Sequence, residues 1–166
     1  CGVEEVERED VLGAGGVAGA AEVQRLTRGQ HGASGARELV IGASRDKVFG
    51  PTILFGAGGT MVEVLQDSAV ALPPLNTVLA SRLVDRTKVS KLLAAFRERE
   101  AVDRDAVIDV LMRVSDLVCE LPQVVELDIN PLFAGPEGVI AVDARVKVAR
   151  PPARFGRYDH VAIHPY

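Results

Sequence analysis

The chain has 166 residues, 48% of them hydrophobic and 25% charged, with a formal net charge of −4. That length suits one domain or two small lobes around a sizeable core. The acidic balance argues against an electrostatic grip on nucleic acid or an anionic membrane surface, and no run approaches the roughly 18 apolar residues that a membrane-spanning helix needs.

The chain begins at Cys1, without a basic-then-apolar leader, and is expected to be a piece of a longer cytoplasmic protein. Cys1 and Cys119 are its only cysteines, too few for a secreted disulfide framework. "EEVERED" (Glu4 to Asp10) is a charge run, and the Gly- and Ala-rich stretch after it is expected to be a linker. "GAGGVA" within it matches a loose dinucleotide fingerprint, but no strand pattern precedes it, so the match carries little weight. "AEVQRL" (Ala21 to Leu26) predicts a short strand, followed by the polar, Gly-rich loop "TRGQHGASGA". From Glu38 the signal sharpens. "ELVIGAS" and "PTILFG" predict strands broken by "RDKVFG", and "TMVEVL" a third after "GAGG". "LNTVLASRLVD" predicts a helix capped by Asn76, and "KVSKLLAAFRERE" a second. The strongest helix follows Asp103, with Val107, Val110, Leu111, Val114, Leu117 and Val118 at the helical period, Cys119 as a buried thiol and Pro122 as the stop. Strands, helices and strands in that order indicate an α/β or α+β fold, not a bundle.

"VVELDINPLFAGPEGVIAVDARV" (Val124 to Val146) predicts a hairpin turning at "AGPEG". A turn centred on Pro136 and Glu137 sets Asn130 opposite Asp143, Asp128 opposite Arg145 and Glu126 opposite Lys147. Leu127, Ile129, Pro131, Phe133, Ile140, Val142, Ala144 and Val146 then share the other, apolar face, since slipping by one residue would bury the charges. Pro131 can also introduce a bulge. The polar face has two readings. One is a solvated face carrying cross-strand ion pairs, each contributing about 0.2–1 kcal/mol. The other is a hard-cation site, in which amide and carboxylate oxygens converge on Mg²⁺. Asn opposite Asp fits the first poorly, because Asn is a weak strand former.

"ELVIGASRDKVFGPTILFGAGGTMVEVLQD", "LPPL", "LMRVSDLVCELPQVVELDINPL" and "AVDARV" together closely resemble the ATP-grasp domain of ADP-forming (NDP-forming) acyl-CoA synthetases. The same domain occurs in multidomain protein acetyltransferases of the Pat type. The resemblance runs from Glu38 to Arg150. It implies an ATP-grasp lobe with a mixed or antiparallel sheet packed by helices, and Mg²⁺ and ATP as cofactors. The metal ligands implied are Asn130 and Asp143, with Asp128 acting through water. Gln24 and the Leu26 backbone would meet adenine, Glu38 the ribose hydroxyls, and the glycine loop "FGAGG", with Gly58 and Gly59, the phosphates or the substrate's carboxyl phosphate. Its glycines are also explained by a tight turn alone.

The family's upstream phosphate-binding Lys and its segment with a phosphorylatable His are not found here, and His31 lacks the family context. His160 and His164 lie in an extended, Pro-flanked run that does not suit metal. The resemblance therefore implies the carboxyl half of the domain. Residues 1–36 would be a remnant of the preceding lobe, 37–150 the carboxyl lobe, and 151–166 a linker toward a following domain, with "RYDHVAIHPY" docked against it. The implied function is the Mg-ATP-binding portion of a protein forming acyl-CoA from a carboxylate, CoA and ATP, this chain alone being inactive. The alternative is a regulatory, ligand-sensing domain of a GNAT-type lysine acetyltransferase. The expected partners are nucleotide, CoA or acyl-CoA, the missing ATP-grasp lobe, a CoA-binding domain and a second copy of the protein.

Overall fold

A computed structural model describes residues 4–6, 36–59, 67–95 and 100–150. Within them the strands are β1 (Glu4–Val6), β2 (Arg37–Asp46), β3 (Gly50–Ala57), β4 (Ser68–Ala71), β5 (Val124–Gly135), β6 (Gly138–Ala141) and β7 (Ala144–Val148). The helices are α1 (Thr77–Asp85), α2 (Ser90–Leu93) and α3 (Arg104–Glu120). They form an α+β fold around one sheet in the order β1-β7-β5-β2-β3-β4, with β6 also on β5. Every strand pairing among the described residues is antiparallel. The expected strands over 21–26 and 60–65, His31 and the tail from 151 lie outside the described residues.

Helices cover one face of the sheet. Leu39, Ile41, Ile53, Phe55, Leu127 and Ile129 point into a core closed by Leu83 and Val84 of α1 and Val107, Leu111, Val114 and Val118 of α3. Burial of apolar surface at about 25 cal/mol per Å² is the main force holding the two layers together. The helix starts are as the sequence leads one to expect. Asn76 Oδ1 accepts the Leu79 N–H at 2.9 Å, and Asp103 Oδ1 the Ala106 N–H at 3.0 Å. Inside the core, Ser115 Oγ accepts the Leu75 N–H at 2.7 Å. Arg45, at the end of β2, donates to the carbonyls of Val118 and Leu121 at the carboxyl end of α3 and to that of Val124. The last turn of a helix carries such unfilled carbonyls and partial negative charge, which a guanidinium satisfies.

The structure departs from the sequence reading at four places. The charge run at the start supplies an edge strand, with Glu4, Glu5 and Val6 opposite Val148, Lys147 and Val146. Charged residues are common at sheet edges, where they deter further pairing. The second helix ends at Leu93, because Arg37 Nε donates to the Leu92 carbonyl at 2.7 Å and the Val102 N–H to that of Leu93 at 2.8 Å. β4, at four residues, is too short to show a periodicity. The fourth place is the hairpin. Its expected register holds at Glu126–Lys147, Asp128–Arg145 and Ile129–Ala144, and again at Leu132–Ala141 and Phe133–Ile140. Against β2, however, β5 gains one residue between Ile129 (opposite Ile41) and Leu132 (opposite Leu39). Beyond this bulge Leu132 and Ala134 enter the core with Leu127 and Ile129. Phe133 and Ile140 therefore do not share the face of Leu127, as simple alternation requires.

Candidate functional site

Among the described residues, no element covers the face of the sheet away from the helices. Period-two alternation places Glu38, Gly42 and Ser44 of β2, Thr52 and Leu54 of β3, Glu126, Asp128 and Asn130 of β5, and Arg145 and Lys147 of β7 on it. A cleft of about 950 Å³ lies over these strands, lined by Gly42, Ser44, Thr52, Leu54, Asp128, Asp143 and Arg145 among others. Four strands from distant parts of the sequence thus converge on one surface.

At one end of this face the glycine loop folds back over β2. The Gly58 N–H donates to the Glu38 carbonyl at 2.8 Å, and a Cβ at Gly58 would overlap the Leu39 backbone. Gly59, with φ +63°, lies against the Glu38 carboxylate, which a Cβ there would strike. Its N–H donates to Asn130 Oδ1 at 3.3 Å. Glycine is required here by close approach as well as by backbone conformation. Glu38, Gly58, Gly59 and Asn130 are therefore brought together. Gln24 and Leu26 lie outside the described residues.

Asn130 and Asp143 are joined across the hairpin by a hydrogen bond from the Asn130 N–H to the Asp143 carbonyl at 3.1 Å. The Asp143 side chain lines the cleft with that of Asp128. Burial pushes the Asp128 carboxyl above its ordinary range; Arg145 opposes the shift, while the negative charges of Asp143 and Glu126 add to it. Of the two expected ion pairs, Lys147–Glu126 forms, with Nζ 3.7 Å from Oε2. Arg145, although opposite Asp128 in the ladder, leans instead to Asp143, with Nε 3.6 Å from Oδ2.

Among the described residues, no three His, Cys, Asp or Glu side chains cluster as a metal site. The candidate set is an amide oxygen with two carboxylates. All its donors are oxygens, and the burial that raises Asp128, with the charges of Asp143 and Glu126 added to it, is a cost that a cation relieves, so the residues fit a hard ion such as Mg²⁺ that keeps several waters. The sequence reading missed the cleft wall of Gly42, Ser44, Thr52 and Leu54. Their alternation with Ile41, Ala43, Ile53 and Phe55 was the available signal.

The chain is 39% identical over 110 residues to the beta subunit of acetate–CoA ligase (ADP-forming) I of Pyrococcus furiosus, covering 66% of this chain and 47% of that subunit. It is 35% identical over 104 residues to 4-hydroxybutyrate–CoA ligase (ADP-forming) of Nitrosopumilus maritimus, covering 63% of this chain and 15% of that enzyme. Among solved structures it is similar to the dinucleotide-forming acetyl-coenzyme A synthetase 1 of Ca. Korarchaeum cryptofilum in complex with coenzyme A and Mg-AMPPCP. There the TM-score is 0.67 at 32% identity, over 89% of this chain and 76% of that one. The chain thus spans about half the length of the Pyrococcus subunit and a smaller share of the longer ligase. The model of the ATP-grasp domain family matches residues 14–148, and the chain belongs to that family.

Proposed function

We propose that this chain is the Mg-ATP-binding carboxyl lobe of an ADP-forming acyl-CoA synthetase, a protein that makes acyl-CoA from a carboxylate, CoA and ATP. The observation that carries the reading is the pairing of Asn130 with Asp143 across the hairpin, beside Asp128 and next to the Gly59–Glu38 contact. Asn130 and Asp143 would hold Mg²⁺ directly and Asp128 through water. When bound, the ion neutralises charge between the terminal phosphates of the nucleotide. Glu38 would accept hydrogen bonds from the ribose hydroxyls, and the backbone of Gly58 and Gly59 would face the phosphates. Gln24 and the Leu26 backbone would meet the base.

A cleft walled on one side stays wet, and its charges stay screened. The 166-residue chain alone is therefore expected to bind Mg-ATP weakly and not to turn over. The test is ADP- and phosphate-dependent interconversion of acetate and acetyl-CoA by the full protein with Asn130→Ala and Asp143→Ala. Loss of activity in both, with folding intact, is the expected result. Full activity in either, or tight Asn130-dependent Mg-ATP binding by the isolated chain in calorimetry, would overturn this account.

A further inference from the structure

Arg145 occupies an unusual position in the cleft. Its contact with Asp143, at 3.6 Å, is longer than the roughly 2.7–2.9 Å of a charge-assisted hydrogen bond. Elsewhere in the same fold, Arg104 and Asp85 close to 2.7 Å, whereas the two pairs on the cleft face, Arg145–Asp143 and Lys147–Glu126, stand at 3.6 and 3.7 Å. The two partners are also held differently. The Asp143 side chain is 21% exposed, whereas that of Arg145 is 81% exposed and reaches it from open solvent. Arg145 also stands opposite Asp128 in the β5–β7 ladder. A guanidinium held this loosely neutralises the acids without being committed to them, and its planar fork suits phosphate as well as carboxylate.

Building on the metal reading above, we infer that Arg145 is the resident counter-cation of Asp143 and Asp128 in the metal-free cleft. It gives way when a divalent ion binds and turns its guanidinium to the phosphates of the accompanying nucleotide. Arg145 then acts with opposite signs on two ligands. It competes with the metal alone and cooperates with the metal–nucleotide pair. Lys147 serves as an internal control. Its contact with Glu126 is similarly long, but that carboxylate is 60% exposed and belongs to the ladder rather than to the Asn130–Asp143 pair.

The test uses Mn²⁺ alone as the probe, its free concentration read by electron paramagnetic resonance in the presence of the full protein. Arg145→Gln is expected to bind Mn²⁺ about threefold to tenfold more tightly than the parent at low salt. The gain should shrink as ionic strength rises. Arg145→Lys should lie between the two, and Lys147→Gln should gain clearly less than Arg145→Gln. With the non-hydrolysable Mg-AMPPCP the order should reverse, Arg145→Gln binding at least about tenfold more weakly. Equal Mn²⁺ affinity of the parent and Arg145→Gln, with binding still abolished by Asn130→Ala and Asp143→Ala, would overturn the counter-cation role and leave the metal reading standing. Unchanged or tighter Mg-AMPPCP binding by Arg145→Gln would overturn the transfer to phosphate. Mn²⁺ that binds the parent and the Asn130→Ala, Asp143→Ala double variant alike would overturn the metal reading and this inference together.

Discussion

The same strands present two unlike surfaces. On the helix side, Leu39, Ile41, Ile53 and Phe55 are fully buried, and the layer is held by packing that no single contact dominates. On the cleft side, Glu38, Gly42, Ser44 and Thr52 alternate with those residues along β2 and β3 and carry little of the apolar burial. Because side chains change face at every residue, one backbone can be selected for stability on one side and for chemistry on the other with little conflict. The two sets should therefore separate in experiment.

The largest loss of stability is expected on the helix side. Phe55→Ala should destabilise the fold by about 3–5 kcal/mol, since it opens a cavity beneath α1 and α3. Chemical denaturation should show it as a lower midpoint, and a loss below about 1 kcal/mol would break the distinction between the faces. Ser115→Ala comes next, at about 1–3 kcal/mol, because the buried Leu75 N–H would lose its acceptor. Ser115→Cys should not restore the full stability if the contact depends on an oxygen at that position.

On the cleft side, Asn130→Ala and Asp143→Ala should each change stability by no more than about 1 kcal/mol, the hydrogen bond to Gly59 and the ion pair with Arg145 being modest. Thermal unfolding without metal would measure this. A cooperative loss of structure in either variant would place those residues among the structural ones. The smallest effect, and one of opposite sign, is expected for Asp128→Asn in the metal-free protein. The folded-state pKa of Asp128 is raised, so its ionised form costs stability at neutral pH. That cost fades as pH falls through the raised value toward the ordinary 3.8 of an aspartate, below which both states are protonated. Asp128→Asn should accordingly be slightly more stable than the parent at pH 7, with the gain gone below the ordinary carboxylate range. A variant less stable at pH 7, or a gain that persists in acid, would show that the carboxylate is not under this strain.

Much of the fold was legible because local and cross-strand signals agreed. Asn76 and Asp103 stand where caps belong, and "AGPEG" with its flanking alternation set the hairpin register on both sides of the turn. What escaped depends on distant partners. The extra residue in β5, allowed for at Pro131, takes its place only against β2, about ninety positions earlier in the chain. The end of α2 is set by Arg37 and Val102 taking carbonyls that a longer helix would have used. At the site, the pairing of Asn130 with Asp143 followed from the turn, and their role from the family resemblance. The contact of Asn130 with Gly59, 71 residues away in sequence, had no local signal. Arg145 was read as a partner of Asp128, because register fixes which residues stand opposite but not where a long, exposed side chain leans.

β5 is twelve residues long, with β2 along one edge and β7, then β6, along the other. Its backbone amides are committed on both sides, which places it among the segments that open only when the whole sheet does. Asp128 and Asn130 ride on that strand, whereas Arg145 and Asp143 belong to the stretch leading into and along β7, next to the short edge strand β1. Amide hydrogen exchange should therefore divide the two sides of the site, with β5 the slower. A divalent ion shared between Asn130 and Asp143 would tie the more easily opened side to the more rigid one, and would slow exchange in β7 far more than in β5.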